Sequence, residues 1–128
     1  VRHLGVSLMI EASCHCGNVK ISIPNVIETV NSCNCSACSR YGALWAYFDP
    51  KVININCNTD EIGCYSWGDK TIEFHHCKNC GCITHYMPTE RGNINRMAVN
   101  FRLVPSDIVN SVKIRYFDGA DTWTFIGE

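Results

Sequence analysis

A chain of 128 residues, 46% hydrophobic and 18% charged, has the composition of one folded domain; disorder is excluded and a second domain has little room. The formal net charge of -1 supplies no pull toward nucleic acid or an anionic membrane surface, and no apolar run is long enough to cross a bilayer. Ten cysteines set the class, because at that density a chain is built either on disulfides or on metal.

In chain order, residues 1–8 read as a dispensable extension. Met9 is a candidate start, and residues 9–128 read as a single domain. No secretory leader is recognised, so the expected compartment is the cytoplasm. Cys14-x-Cys16-Gly17 comes first, followed by Val19–Ile23, which alternates apolar and polar with period two. Cys33-x-Cys35-x-x-Cys38 follows, with Ser36–Tyr41 as one helical turn that presents Cys38. Leu44–Phe48, Val52–Ile55, Thr71–His75, Ile83–Met87 and Met97–Phe101 are rich in β-branched and aromatic residues, and Val112–Phe117 alternates again. Turn signals separate these runs: Pro24-Asn25, Asp49-Pro50, Asn58-Thr-Asp60, Trp67-Gly-Asp69, Arg91-Gly-Asn93 and Asp118-Gly119. Residues 106–111 follow Pro105 and read as a short helix capped by Ser106. No stretch carries a sustained 3.6-residue apolar stripe. The pattern predicts an all-β domain of short antiparallel strands, a meander or a sandwich, with one or two helical turns.

Seven of the ten cysteines fall in three tight clusters, Cys14/Cys16, Cys33/Cys35/Cys38 and Cys77/Cys80. Close neighbours cannot usefully bridge each other, whereas several thiolates fixed around one point suit zinc. Glycine follows both Cys16 and Cys80. At positive φ it turns backbone N–H groups toward sulfur, as in a zinc knuckle. Two facing knuckles give a closed site of Cys14, Cys16, Cys77 and Cys80, clamping the start of the domain to its middle. Cys33, Cys35 and Cys38 make a tripod, with Cys57, Cys64, Cys82, a histidine, water or an external thiol as its fourth ligand. Two bound Zn²⁺ ions are therefore expected. Three thiolates around Zn²⁺ leave a net charge of -1. That makes a weak Lewis acid toward water but a good host for a fourth thiol, so the site points to a small thiol substrate.

The remaining cysteines, Cys57, Cys64 and Cys82, read as ordinary core or half-buried residues, with Cys82 set apart by its place beside the second knuckle. His15 should point away from the metal. One of His75 and His76 should turn inward; His85 is uncommitted. Arg40 could hold a substrate carboxylate or be a solvated surface residue. Trp45, Tyr47, Phe48 and Trp67 could wall a pocket or simply pack.

Ser13-Cys-His-Cys-Gly17, Cys33-Asn-Cys-Ser-Ala-Cys-Ser-Arg40 with Gly42, Phe74 to Gly81 ending in Cys77-Lys-Asn-Cys-Gly81, and the closing Ala120-Asp-Thr-Trp123 resemble the family of glutathione-dependent formaldehyde-activating enzymes and centromere protein V. The resemblance runs over about residues 10 to 125. It implies a zinc-bound β-tent fold, a structural zinc on Cys14, Cys16, Cys77 and Cys80, and a catalytic zinc on Cys33, Cys35 and Cys38. The implied activity is a carbon–sulfur lyase that makes or cleaves S-hydroxymethylglutathione; the charge balance leaves no nucleic-acid or membrane partner expected. The enzymes that name the family are longer, so a non-catalytic zinc scaffold that binds another macromolecule is the alternative. A metal or redox sensor is a third reading, in which mild peroxide would release the tripod zinc first.

Overall fold

Where the chain alternates with period two it forms strands, because alternation gives each segment one face for a core and one for solvent or a site. The computed structural model describes residues 9–128, so the reading of residues 1–8 as an extension lies outside the described residues. The strands are β1 (Met9–Ser13), β2 (Lys20–Pro24), β3 (Thr29–Cys33), β4 (Trp45–Phe48), β5 (Asn54–Asn56), β6 (Ile62–Tyr65), β7 (Ile72–Cys77), β8 (Ile83–Pro88), β9 (Met97–Asn100), β10 (Lys113–Phe117) and β11 (Phe125–Ile126). Two short helices, α1 (Ser36–Tyr41) and α2 (Ser106–Val109), interrupt them, as do three single 3₁₀ turns. The fold is all-β, as the alternation predicts.

A small antiparallel sheet, β1-β2-β5, packs on a large one ordered β11-β10-β3-β4-β9-β8-β7-β6. Ala12, Ile21 and Ile23 of the small sheet share one core with Val30, Leu44, Ala46, Met97, Val99 and Phe101, all nearly or wholly inaccessible. The other face of the large sheet carries a second, aromatic cluster in which Trp45, Phe74 and Ala98 pack with Cys38, Tyr47 and Tyr86. Alternation on β4 divides the two faces, with Ala46 and Phe48 on the first and Trp45 and Tyr47 on the second.

The pairing is not wholly antiparallel, because β10 runs parallel to β3, with Lys113 opposite Thr29 and Phe117 opposite Cys33. This pair decides where the site lies. Parallel neighbours finish at the same end, so the turn after Phe117 arrives beside the start of the Cys33–Cys38 segment. The sequence TVNSC of β3 has one large apolar residue, so periodicity alone passes over it. Its Val30 supplies the core, while Asn31 and Cys33 line a cleft on the opposite face.

Local chemistry sets the helix ends. Cys35 is the N-cap of α1; its sulfur accepts the Cys38 N–H, and Gly42, at φ 64, closes the helix in the left-handed region that glycine enters at least cost. Helix α2 has Pro105 at its N-cap with no side-chain capping bond, so the expected cap at Ser106 is not formed. Proline presets the backbone there, and Ser106 becomes the first helical residue.

Candidate metal centres

The first centre joins two hairpins. Cys14 and Cys16 sit in the turn between β1 and β2, while Cys77 ends β7 and Cys80 lies in the β7–β8 turn. The two turns are built alike. The Cys14 N–H donates to the Val19 carbonyl at 3.0 Å and the Cys77 N–H to the Cys82 carbonyl at 3.0 Å. Gly17 (φ 85) and Gly81 (φ 83) take the left-handed conformation that the knuckle requires. The four sulfurs lie within 4.8 Å of one another, with Cys14–Cys16 at 3.7 Å and Cys16–Cys77 at 3.6 Å. A tetrahedral ion with ~2.3 Å bonds to sulfur needs edges of about 3.8 Å, so the set fits such an ion. A disulfide needs about 2.05 Å, and all ten cysteines are free. Donors face the sulfurs: the Val19 N–H reaches Cys14 Sγ at 3.2 Å, and Asn18 Nδ2 reaches Cys77 Sγ at 3.9 Å.

The second centre is the tripod. Cys33 ends β3, Cys35 caps α1 and Cys38 lies one turn into that helix, and their sulfurs converge within 4.8 Å. Cys38 is buried, and Trp45 Nε1 donates to its sulfur at 3.4 Å. The Cys35 N–H faces Cys33 Sγ at 3.5 Å. From the far end of the chain Gly119 comes against Cys33, where a Cβ would lie 2.6 Å from that sulfur. Asn34 ties this turn down: its Nδ2 donates to Asp118 Oδ1 at 3.1 Å, and its Oδ1 accepts the Ala120 N–H at 3.0 Å. Among the described residues the group holds three cysteines and no fourth protein donor.

Proton affinities in both clusters split as crowded thiols require. The Cys38 thiol bonding to Cys33 brings Cys33 down to about 5 against the effect of burial, and that same bond, then burial, pushes Cys38 far up. In the knuckle pair burial raises Cys14 to about 11. Burial also works on Cys80, but backbone N–H groups of Cys82 and Cys16 outweigh it and lower the thiol to about 5. In each cluster one buried thiol, Cys14 or Cys38, thus holds its proton while a neighbour gives its own up readily, and a cation at the centre opposes the first of these.

The tripod opens on a cleft of about 830 Å³, within the size range of small-molecule sites. Trp45, Tyr47, Phe74 and Tyr86 make its inner wall in edge-to-face contacts, with Trp45 and Tyr86 centred 4.9 Å apart. Trp67 and Trp123 stand at the edges, 41% and 71% exposed. Trp123 sits at φ 60, an unfavourable conformation for a bulky residue, and packs edge-on against Phe117 at 5.0 Å. Arg96 holds its guanidinium 4.1 Å over the Tyr47 ring and is the cleft's cation. Asn31 Nδ2 donates to Tyr47 Oη at 3.3 Å, and burial holds the Tyr47 proton on.

Of the other residues singled out by sequence, Trp45, Tyr47 and Trp67 do line the cleft, whereas Phe48 turns into the opposite core. Arg40 is exposed, and its Nη1 donates to the Ser36 carbonyl of its own helix at 2.9 Å; it holds no place in the cleft. Cys57 packs on the main core and Cys82 closes the knuckle through its backbone. His15 is exposed, as expected. Cys64 is not a core residue; it is exposed on β6, beside His75 and Glu73. His85 is buried and stacks on His75, with ring centres 4.5 Å apart. Arg96, Asn34, Asp118 and Gly119 escaped the sequence reading. The Asp118-Gly119 turn signal was visible, but not that the turn would fold back over residues 33 to 38.

Fold and site together define an all-β protein with two cysteine-built candidate metal centres, one closed and one facing a cleft. No family model matches the chain. A crystal structure of a Rhodobacter sphaeroides protein is similar, with a TM-score of 0.68 and 26% identity, over 82% of this chain and 99% of that one. No helix among the described residues is long and apolar enough to cross a membrane.

Proposed function

We propose that this protein is a zinc enzyme of carbon–sulfur chemistry, a lyase that makes or breaks the adduct of formaldehyde with glutathione or another small thiol. The observation that carries this reading is the tripod of Cys33, Cys35 and Cys38 at the floor of an aromatic cleft, with three sulfurs together and a free approach from the cleft side. The family resemblance supports the same substrate class. Cys14, Cys16, Cys77 and Cys80 would hold a structural zinc, and the tripod a second one. When bound there, zinc supplies a position that takes up an external thiol and removes its proton at neutral pH.

The chain's own residues do the remainder. Trp45, Phe74 and Tyr86 exclude water from the reacting atoms. Arg96 attracts an acidic substrate. Tyr47 keeps its proton and accepts from Asn31, so its own O–H is available to the carbonyl oxygen. In the forward direction the substrate sulfur bonds the aldehyde carbon, the carbonyl π pair moves to oxygen, and that oxygen gains a proton. In reverse the hydroxyl proton leaves, the C=O bond reforms and the C–S bond breaks. No electron acceptor is involved.

A non-catalytic scaffold predicts a fourth protein ligand at the tripod and no cleft beside it. The described residues carry the cleft and a group of three, which favours the enzyme. Zinc-loaded protein should accelerate the exchange between formaldehyde, glutathione and S-hydroxymethylglutathione seen by NMR, and Cys38→Ser should abolish the acceleration. A rate equal to the uncatalysed one for glutathione and for simpler thiols alike, unchanged by Cys38→Ser, refutes the reading.

A further inference from the structure

Outside both cysteine centres, three side chains of different donor type converge at the edge of the large sheet. Strand β6 is the last strand of that sheet, and its Cys64 lies opposite His75 in the β6–β7 register. Glu73 and His75 are alternate residues of β7 and so share a face, opposite to the cleft residue Phe74. His75 Nε2 lies 3.2 Å from Glu73 Oε1 and 3.9 Å from Cys64 Sγ, and one donor atom from each residue falls within 4.8 Å of the other two.

We propose that Cys64, Glu73 and His75 form a third metal site, for a divalent transition ion of the zinc class. The donor set is a thiolate, a carboxylate and an imidazole, which suits a borderline ion better than a hard one such as Mg²⁺. One thiolate and one carboxylate neutralise the ion's double charge. The imidazole is already held: its ring lies flat on His85, at 23° and 4.5 Å, and His85 Nδ1 is fixed by Thr84 Oγ1 at 2.8 Å. Such outer support orients a metal-binding histidine. Three protein donors leave one position to solvent. Cys64 is exposed and Glu73 is 42% exposed, so this site binds more weakly than the tetrathiolate. Its ion would stitch the edge strand to β7, the strand that also delivers Cys77.

The same three groups could instead act as a thiol activated by a histidine and a carboxylate. Two observations weigh against it. Cys64 Sγ is 3.6 Å from Nδ1 and 3.9 Å from Nε2, so it is not aimed at one nitrogen as a nucleophile–base pair requires. None of the three residues lines the tripod cleft or the smaller hollow behind Cys33 and Cys38.

The proposal is independent of the function assigned to the tripod, and the test keeps the two apart. Zinc(II) or cobalt(II) is titrated into the wild-type chain and into His75→Gln and Glu73→Gln, with circular dichroism verifying the fold. Wild type should bind one more ion than either variant, whatever the tripod itself binds. With cobalt(II), the extra ion should add a sulfur-to-metal absorption band that Cys64→Ser removes. Cys64 alkylation by iodoacetamide, followed by peptide mass spectrometry, should slow at least tenfold when the extra ion binds. Equal stoichiometry in wild type and variants overturns the proposal. So does a metal-independent alkylation rate that falls in His75→Gln, which marks the activated thiol instead.

Discussion

At the residue scale, the cysteine centres depend on small groups that bring N–H donors and empty space to sulfur. The cysteines themselves were legible because their spacing is local: three within six residues, or two across a tight turn, can be read without knowing the fold. Gly119 was not legible, since it meets Cys33 across more than eighty residues and only the parallel β3–β10 pair brings them together. Its role can be tested. A methyl at this position would stand 2.6 Å from Cys33 Sγ, closer than atoms tolerate, and it would push either the sulfur or the 118–120 turn away. Asn34 anchors that turn from both sides, so the sulfur should yield. Gly119→Ala is therefore expected to weaken metal binding at the tripod about tenfold, within the range usual for lost support around a metal ligand. The tetrathiolate should keep its ion. Competition with a chromophoric chelator reads both sites in one titration, and an unchanged weaker site would show that this contact does not matter.

At the element scale, the fold asks sulfur to join pieces that pair poorly with one another. The β1–β2 hairpin belongs to the small sheet and the β7–β8 hairpin to the large one, and their turns meet around Cys14, Cys16, Cys77 and Cys80. The strands with apolar alternation, β2 and β10, and those rich in β-branched and aromatic residues, such as β4, were legible. The strands β3 and β6 were not, because TVNSC and IGCY owe their strand state to neighbours and not to their own pattern. The sequence also gave no hint of the parallel pair, since strand direction is a tertiary property. In energetic terms the tetrathiolate should act as a folding element, because the ion binds the folded chain far better than the unfolded one. Removing it with a strong chelator, or replacing Cys77 by Ser, should lower the melting temperature by about 10 °C or more, given that ~1 kcal/mol corresponds to several degrees in a domain of this size. Removing the tripod ion alone through Cys38→Ser should shift it less. Differential scanning calorimetry on the three forms reads this directly, and equal shifts would refute a division of labour between the centres.

At the scale of the whole molecule, one sheet is used twice: its first face builds the core, and its second carries the aromatic wall and the tripod. Alternation in the sequence makes this possible, yet it conceals the cleft, because Trp45, Phe74, Tyr86 and Trp123 come from four separate segments. The cleft's charge was hidden for the same reason. Arg40, next to the tripod in sequence, bonds its own helix, while Arg96, far from it in sequence, sits over Tyr47 at the cleft wall. If the cleft selects acidic thiols, the selection rests on Arg96. A carboxylate bonded to an arginine is worth roughly 1.5–3 kcal/mol, and the exposure of Arg96 places its effect at the low end. Arg96→Gln should then raise KM for glutathione about tenfold at low salt, with kcat nearly unchanged, since the lost contact is made equally in ground and transition states. The difference should shrink as salt is added, and a neutral thiol such as 2-mercaptoethanol should be indifferent to the substitution. An equal loss for charged and neutral thiols would mean that Arg96 serves only to hold Tyr47 in place, and the cleft would then have to recognise its substrate through its aromatic wall alone.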